Sequence, residues 1–240
     1  MQRVNIDPNK AVTKNGRTPL SWAARGGHKS VVILLLGQKD INPNTSDARS
    51  GLTPLAWAAK RGHKGVVKAP LQRVNINLNA VEKKIGRMPL SWVVENGYEA
   101  VVRLLLGQED LNPNIADTDF GETPLLSAAR KGHAEVVKLL LGREDVNPNI
   151  ADTELDETPL LWAVRGRHEG VVKLLLRLED VNPNIAGTKY GKSPLLLAAR
   201  GGHEGVVKLL LGQENADPNI ADTDLAKDHS GGLCGRGMTE

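Results

Sequence analysis

Apolar and polar positions follow a pattern along the chain that repeats every 35 residues. Each period holds a short apolar segment that opens with Pro-Leu, a second apolar segment of Val and Leu, and a polar stretch. A fixed period in this range is typical of stacked repeats, whose units bury their apolar faces against one another. The pattern predicts one elongated domain of six linked units, with Pro-Leu pairs that begin at Pro19, Pro54, Pro89, Pro124, Pro159 and Pro194.

The sequence of one unit predicts two short helices followed by a polar loop, here called a finger. Thr18 is a favourable N-cap and Pro19 a favourable first helical residue. A Gly-Gly pair ends the first helix near Arg25, and the second helix runs from about His28 to Gly37. The polar stretch that follows contains an Asn-Pro-Asn turn and predicts a hairpin-like finger. Each helix is shorter than the ~12–15 residues needed for independent stability, so every unit depends on its neighbours.

The unit resembles an ankyrin repeat. The family's Thr-Pro-Leu, Ala-Ala, Gly-His and Val-x-Leu-Leu elements stand in one unit at residues 123–125, 128–129, 132–133 and 137–140. The resemblance covers about residues 3–225. It implies an all-α fold, an ankyrin-repeat α-solenoid of helix-turn-helix units with hairpin-like fingers. It also implies that the inner helices and the finger tips form the binding surface.

Two features depart from the usual ankyrin pattern, and two others resemble one particular group of ankyrin arrays. The period exceeds the usual value of about 33 by about two residues. The family's histidine after Thr-Pro-Leu is absent. The Asn-Pro-Asn finger and the triple Leu resemble the long arrays of fungal NTPase-type signalling receptors. The residues that replace the histidine are Ser21, Ala56, Ser91, Leu126, Leu161 and Leu196.

The repeat pattern also sets the expected boundaries. We expect an array over residues 1–227 and a Gly-rich, disordered tail over residues 228–240. The segment at residues 2–6 recurs at residues 72–76, so the chain is expected to begin inside a finger and to be part of a longer array. Neither end carries a polar capping repeat. The units fall at residues 16–50, 51–85, 86–120, 121–155, 156–190 and 191–225.

The second and third units depart furthest from the pattern. Pro70 stands inside the second helix of its unit, where proline removes a backbone donor and costs roughly 3 kcal/mol in a helix interior. Leu78 replaces the finger proline, Met88 replaces the capping threonine, and Val93 and Val94 replace the small Ala-Ala pair. We expect the stack to bend or fray between residues 68 and 90.

Composition and charge limit the classes of function. The chain has 40% hydrophobic but only 3% aromatic residues, which suits short helices packed through aliphatic faces. Its one cysteine, Cys234, excludes an internal disulfide and a Cys-based zinc site. No apolar run has the length of a membrane span or the form of a signal peptide, so a cytoplasmic location is expected.

The charge is distributed unevenly between the two halves of the chain. The formal net charge is +3, but residues 1–117 carry +8 and residues 118–240 carry −5. This asymmetry can steer a complementary partner. The basic half contains no run of like charges, so nucleic acid is not the expected partner.

The sequence predicts no catalytic residues, no metal site and no cofactor. Five histidines share one repeat position, but neighbouring units place them about 8–10 Å apart, too far to bind one ion. The His-Glu-Gly triplets lack the second histidine of a zinc protease. The histidines are His28, His63, His133, His168 and His203.

Tryptophans and cations are the candidate partner-binding residues. Trp22 lies opposite the small face of its helix, so it is expected on the concave side with Arg25. Trp and Arg are common hot spots in protein interfaces. Packing between adjacent inner helices is the equally weighted alternative. The equivalent residues are Trp57, Trp92, Trp162, Lys60, Arg130, Arg165 and Arg200, and the finger tips add Phe120 and Tyr190.

These observations predict a non-enzymatic module that binds a protein partner through its concave helix and finger surface. Nucleic acid and membrane are not expected partners. Two alternatives remain open. The chain could be the ligand-sensing part of a larger NTPase-type signalling protein, or a structural array that self-associates through its uncapped ends.

Overall fold

The computed structural model describes residues 7–11, 14–72, 75–187, 189 and 191–218. In this part of the chain twelve α-helices follow one another in pairs, without any β-strand. The first helices of the pairs, here called inner helices, are α1 Pro19–Gly26, α3 Pro54–Lys60, α5 Pro89–Glu95, α7 Pro124–Lys131, α9 Pro159–Arg165 and α11 Pro194–Arg200. The second, or outer, helices are α2 Lys29–Leu36, α4 Lys64–Lys68, α6 Glu99–Leu106, α8 Ala134–Leu140, α10 Glu169–Leu175 and α12 Glu204–Leu211.

The helices form two layers. Each inner helix packs against the next inner helix and each outer helix against the next outer helix, while the two helices of a pair also touch. The core between the layers is aliphatic. The small Ala128 and Ala129 of α7 and the Val137 of α8 are fully buried. This stack of helix pairs confirms the predicted all-α solenoid. No described helix is long and apolar enough to cross a membrane.

The inner helices begin as the sequence predicts. The Thr18 Oγ1 accepts a hydrogen bond from the Ser21 N–H, and Pro19 occupies the first helical position. Threonine or serine caps four other inner helices in the same way. Met88 stands at the cap of α5 and makes no side-chain bond there, so this helix start lacks the stabilisation that a capping hydroxyl provides.

An asparagine ladder, which the repeat pattern does not predict, joins the fingers. The side chain of Asn44 donates to the Asn75 carbonyl at 2.6 Å and accepts from the Asn77 N–H at 2.9 Å. The second asparagine of Asn-Pro-Asn is therefore a bridge to the next unit as well as a turn residue. The same pair of bonds is made by Asn9, Asn79, Asn114 and Asn184.

The shared histidines form a second set of bridges. A ring nitrogen of His63 lies 3.1 Å from the Arg25 carbonyl at the end of the preceding inner helix. His133 and His168 make the same contact with the Glu95 and Arg130 carbonyls. Each bond satisfies a helix-end carbonyl that has no intrahelical donor. These histidines therefore have a structural role.

The second unit shows the predicted interruption. The helix α4 has 5 residues, and a 3₁₀ turn, Pro70–Gln72, follows it. The inner helix α5 nevertheless packs on both α3 and α7, and its Val93 and Val94 are fully buried. The irregularity affects the outer layer, whereas the inner layer continues. Residues 73–74 and the predicted tail, 228–240, lie outside the described residues.

Two residues adopt a left-handed backbone that glycine occupies in the other units. Arg167 has φ 57° in the turn between α9 and α10, where the equivalent Gly132 has φ 72°. A β-carbon at Gly132 would approach His168 of the next unit to 2.5 Å. After Arg167 the corresponding His203 ring bonds the Val164 carbonyl instead of the helix-end carbonyl. We attribute this shift to the β-carbon of Arg167. The second such residue is Asp156, with φ 54°.

Replacing Arg167 with glycine should stabilise the protein. The left-handed conformation costs a non-glycine residue about 1–2 kcal/mol, so Arg167→Gly should raise the free energy of unfolding by about 1 kcal/mol. Arg61→Gly is the matched control, because Arg61 has an ordinary φ of −99°. The control should lower stability, since glycine adds freedom to the unfolded chain. Equal effects in urea unfolding would show that backbone strain at Arg167 is negligible.

Replacing Pro70 with leucine should lengthen α4. Leucine occupies the equivalent position as Leu105 and Leu140, and both are fully buried. Pro70→Leu should raise the free energy of unfolding by about 1–3 kcal/mol, because an interior proline removes a helical hydrogen bond. Pro148→Leu, in an Asn-Pro-Asn turn, should not stabilise. An unchanged melting temperature for Pro70→Leu would show that α4 ends at Lys68 for another reason.

Candidate binding surface

The candidate surface is the exposed side of the inner helices together with the adjoining finger tips, here called the inner surface. Its four tryptophans are not equivalent. Trp22 is 37% exposed, whereas Trp57 is 7% exposed and packs with Leu52 and Ala56. Trp92 and Trp162 are half-buried. For Trp57 the burial favours the packing alternative, because neighbouring side chains cover its indole ring.

Cations lie over the tryptophan rings and link successive units. The Lys60 ammonium is 3.5 Å from the centre of the Trp92 ring. The Arg25 guanidinium lies 5.4 Å from the Trp57 ring, and that of Arg130 lies 5.9 Å from the Trp162 ring. A cation at the end of one inner helix thus meets the tryptophan of the next unit. Such contacts contribute about 0.5–2 kcal/mol each, depending on solvation.

Between the third and fourth units both members of this contact, the cation and the tryptophan, are absent. Glu95 stands at the helix-end position of the third unit, and Ser127 replaces the tryptophan that would follow it. The carboxylate of Glu95 bonds Arg87 within its own unit. An anion gives no favourable contact with the face of an indole ring, which fits the absence of tryptophan at Ser127, whereas Leu197 follows an Arg165 that is paired with Glu157.

Finger carboxylates hold two of the tryptophans in place. The Trp57 Nε1 donates to Asp47 at 2.8 Å, and the Trp162 Nε1 donates to Asp152 at the same distance. Glu82 occupies the equivalent position before Trp92, but its carboxylate accepts from two N–H groups of its own finger. The Trp92 Nε1 is buried and has no hydrogen-bond partner.

Burial and neighbouring groups shift the pKa of two side chains on this surface, Asp47 and Lys60. Burial by itself raises the pKa of Asp47, but bonds from Ser50 and Trp57 and the charge of Arg17 outweigh it, so that the pKa lies below its ordinary value. Burial lowers the pKa of Lys60, and the nearby Glu82 opposes this change. Asp47 therefore remains an anion that accepts hydrogen bonds.

Ion pairs within units were missed in the sequence analysis. Arg130 pairs with Glu122 at 2.6 Å, and Arg165 pairs with Glu157, in each case over a spacing of eight residues. Arg87 and Glu95 make the same pair with the charges exchanged. Opposite charges eight residues apart were the available signal. These pairs neutralise the inner surface of the third, fourth and fifth units.

The structure describes two of the three remaining predicted binding residues. Phe120 is 41% exposed at a finger tip, and Arg200 is exposed at the end of α11. Tyr190 lies outside the described residues.

An open groove of about 590 Å³ runs beside Lys60 and Trp92. A smaller one of about 130 Å³ is lined by Phe120, Glu122, Arg130, Asp152, Glu154 and Trp162.

Among the described residues, no three His, Cys, Asp or Glu side chains gather in a way that could hold a metal ion. Three of the shared histidines instead use a ring nitrogen on a helix-end carbonyl of the preceding unit. The geometry provides aromatic faces, cations and carboxylates on one side of a rigid stack. Such groups suit recognition of another macromolecule.

Paired short helices joined by fingers define a helical repeat solenoid. A family model described as ankyrin repeats in three copies matches residues 2–82, 71–152 and 144–222. These matches extend over most of the chain, which therefore belongs to the ankyrin-repeat family. Ankyrin repeats are in general protein–protein interaction modules, and their fold is typically non-enzymatic. A comparison with curated proteins found no match.

The Asp47 carboxylate should make stability depend on pH. Its lowered pKa means that its contribution is fully present above the unfolded-state value of about 3.9 and is lost as pH falls through the folded-state value. Asp47→Asn should lower the free energy of unfolding at pH 7 by about 1–3 kcal/mol. The difference should shrink in urea unfolding below about pH 4.

Asp119→Asn is the control for this experiment, because Asp119 is exposed at another finger tip. It should leave the unfolding free energy within about 0.5 kcal/mol of the wild type. If the two variants show the same dependence on pH, the hydrogen bonds to Asp47 contribute nothing specific.

Proposed function

We propose that this protein is a non-enzymatic module that binds a segment of a protein partner along its inner surface. The observation that carries the proposal is the exposed Trp22 beside two arginines, on the side of the stack that the outer helices leave open. Exposed Trp beside Arg is the combination that dominates binding energy in protein interfaces.

Rigidity supports the proposal. The inner helices pack on one another, and the fingers are joined by the asparagine ladder and by backbone bonds such as that from the Thr153 N–H to the Phe120 carbonyl, at 2.8 Å. The side chains on this surface are therefore ordered before a partner arrives. A pre-ordered surface loses less conformational entropy on association than a mobile one.

Charge along the finger tips supports selectivity. The finger tips that precede the first three inner helices carry Lys14, Arg49 and Lys84, whereas those that precede the fourth and fifth carry Asp119 and Glu154. Charged groups at the rim of an interface act on association rate and partner choice more than on raw affinity. We therefore propose that a partner segment presents acidic residues to the first three of these tips and basic residues to the next two.

The experiment is a selection of peptides from a random display library against the full immobilised chain. Trp22→Ala should weaken the selected peptides at least tenfold and leave the melting temperature nearly unchanged. Leu34→Ala is the control, because Leu34 is 69% exposed on the outer helix α2. Peptides that respond to Leu34→Ala and not to Trp22→Ala would contradict the proposal.

Trp57→Ala separates binding from packing. Because its side chain is 7% exposed, this variant should lower the free energy of unfolding by about 3–5 kcal/mol. The reverse ranking, in which Trp22→Ala destabilises the fold more than Trp57→Ala does, would mean that Trp22 is a packing residue.

Self-association is a second candidate, and one observation favours it. Val31, Ile33 and Leu34 of α2 are 46%, 49% and 69% exposed, whereas Val66 and Val101 at the position of Val31 are both 2% exposed. Sedimentation equilibrium of the wild type should then show a mass that rises with concentration. Leu34→Ala should reduce that rise, and a constant monomer mass would exclude this candidate.

A further inference from the structure

The first unit carries a pair of arginines where the later ion pairs described above hold opposite charges. Arg17 and Arg25 occupy the two positions, eight residues apart, that hold opposite charges in the third, fourth and fifth units. The Arg17 guanidinium lies 4.8 Å from the Trp22 ring and 4.4 Å from the Trp57 ring. That of Arg25 lies 5.5 Å and 5.4 Å from the same rings.

The two guanidinium groups have hydrogen-bonding capacity that the described residues leave unused. The Nε atoms of Arg17 and Arg25 are buried and have no hydrogen-bond partner. The rings beneath them offer π faces and no conventional acceptor. The nearest acid to Arg17, Asp47, is 3.9 Å away and already accepts from Ser50 and Trp57. A buried donor that lacks a partner carries a desolvation cost that an incoming acceptor removes.

We propose that Arg17, Arg25 and the exposed edge of Trp22 bind the carboxylate of an Asp or Glu residue in the partner segment. A planar guanidinium matches a carboxylate through two parallel hydrogen bonds, and its stacking on an indole ring holds the plane in place. Trp22 provides the apolar contact for the neighbouring residue of the segment. This inference rests on the proposed function and names the chemistry of its partner.

A polyanion such as nucleic acid fits this surface less well than an acidic peptide. A chain of phosphates that extended from Arg17 along the inner surface would reach, beyond Lys60, three units whose arginines are already paired with Glu95, Glu122 and Glu157, with Asp119 and Glu154 at the finger tips. The paired arginines offer no net positive charge to a polyanion, and the two finger-tip acids repel it. A peptide can place one carboxylate between the arginines and other residues farther along.

The sequence of the protein itself supplies the test variants. Glutamate stands at the position of Arg17 in the fourth and fifth units, and at the position of Arg25 in the third. Arg17→Glu or Arg25→Glu therefore places in the first unit an opposite-charge pair that the stack already accommodates elsewhere. The control is Lys29→Glu together with Lys64→Glu, because both lysines are exposed at the starts of outer helices where other units have Glu99, Glu169 and Glu204.

The probes are two arrays of twelve-residue peptides that alternate a fixed residue with random ones, with Glu fixed in one array and Gln in the other. The wild type and the lysine control should bind the best Glu peptides at least tenfold more tightly than their Gln counterparts, measured by fluorescence anisotropy. In Arg17→Glu and in Arg25→Glu this preference should fall below twofold, with the melting temperature maintained.

Three other outcomes would overturn the inference. Equal binding of Glu and Gln peptides, with loss in Trp22→Ala, would remove the carboxylate site and leave the proposed function intact. Absence of any peptide binding that Trp22→Ala weakens would remove both. Tighter binding of a twenty-nucleotide oligothymidylate than of any Glu peptide, lost in Arg17→Glu, would assign the arginines to nucleic acid.

Discussion

Contact between neighbouring units is the constraint on which the rest of this structure depends. The described helices have 5 to 8 residues, too few for any of them to persist alone. Each becomes stable by burying its Val, Leu and Ala side chains between the helices before and after it. The polar links follow the same direction, because asparagine and histidine side chains bond the backbone of an adjacent unit. Stability is therefore distributed along one axis, as in other repeat proteins.

This arrangement leaves the inner surface free to vary. Residues that hold units together recur with little change, whereas the positions of Arg17, Trp22 and Arg25 change charge and size from one unit to the next. The changes are coupled, since an acid at one position accompanies a base eight residues away in the fourth and fifth units. The first unit breaks that coupling by carrying two arginines. A surface that balances charge in its third, fourth and fifth units but not in its first is suited to distinguish between partners.

The fold could be predicted from sequence because its signals are local and repeated. Thr-Pro fixes the start of α1, and Gly27 fixes its end with a left-handed φ of 77°. The shortening of α4 at Pro70 could be predicted for the same reason, because proline disrupts a helix locally. The asparagine ladder could not, because Asn-Pro-Asn also has a sufficient explanation as a turn, and a bond to the next unit depends on how units stack.

The candidate surface was harder to predict for a related reason. A helical wheel places Trp22 and Trp57 at the same angle, yet their exposures differ, because the surroundings of each ring depend on the adjacent units. The helix-end cations were found from their position, but the carboxylates that pair with Arg130 and Arg165 lie eight residues earlier and outside the helix pattern. Geometry between units, rather than the repeat itself, determines which side chains remain available.

The most direct test of binding along the inner surface is a ¹H–¹⁵N spectrum of the four tryptophan indole groups, recorded as a selected peptide is added. Binding to the inner surface predicts that the Trp22 signal moves most and that amide signals of the outer helices stay in place. Unchanged indole signals accompanied by shifts of α2 or α12 amides would contradict it.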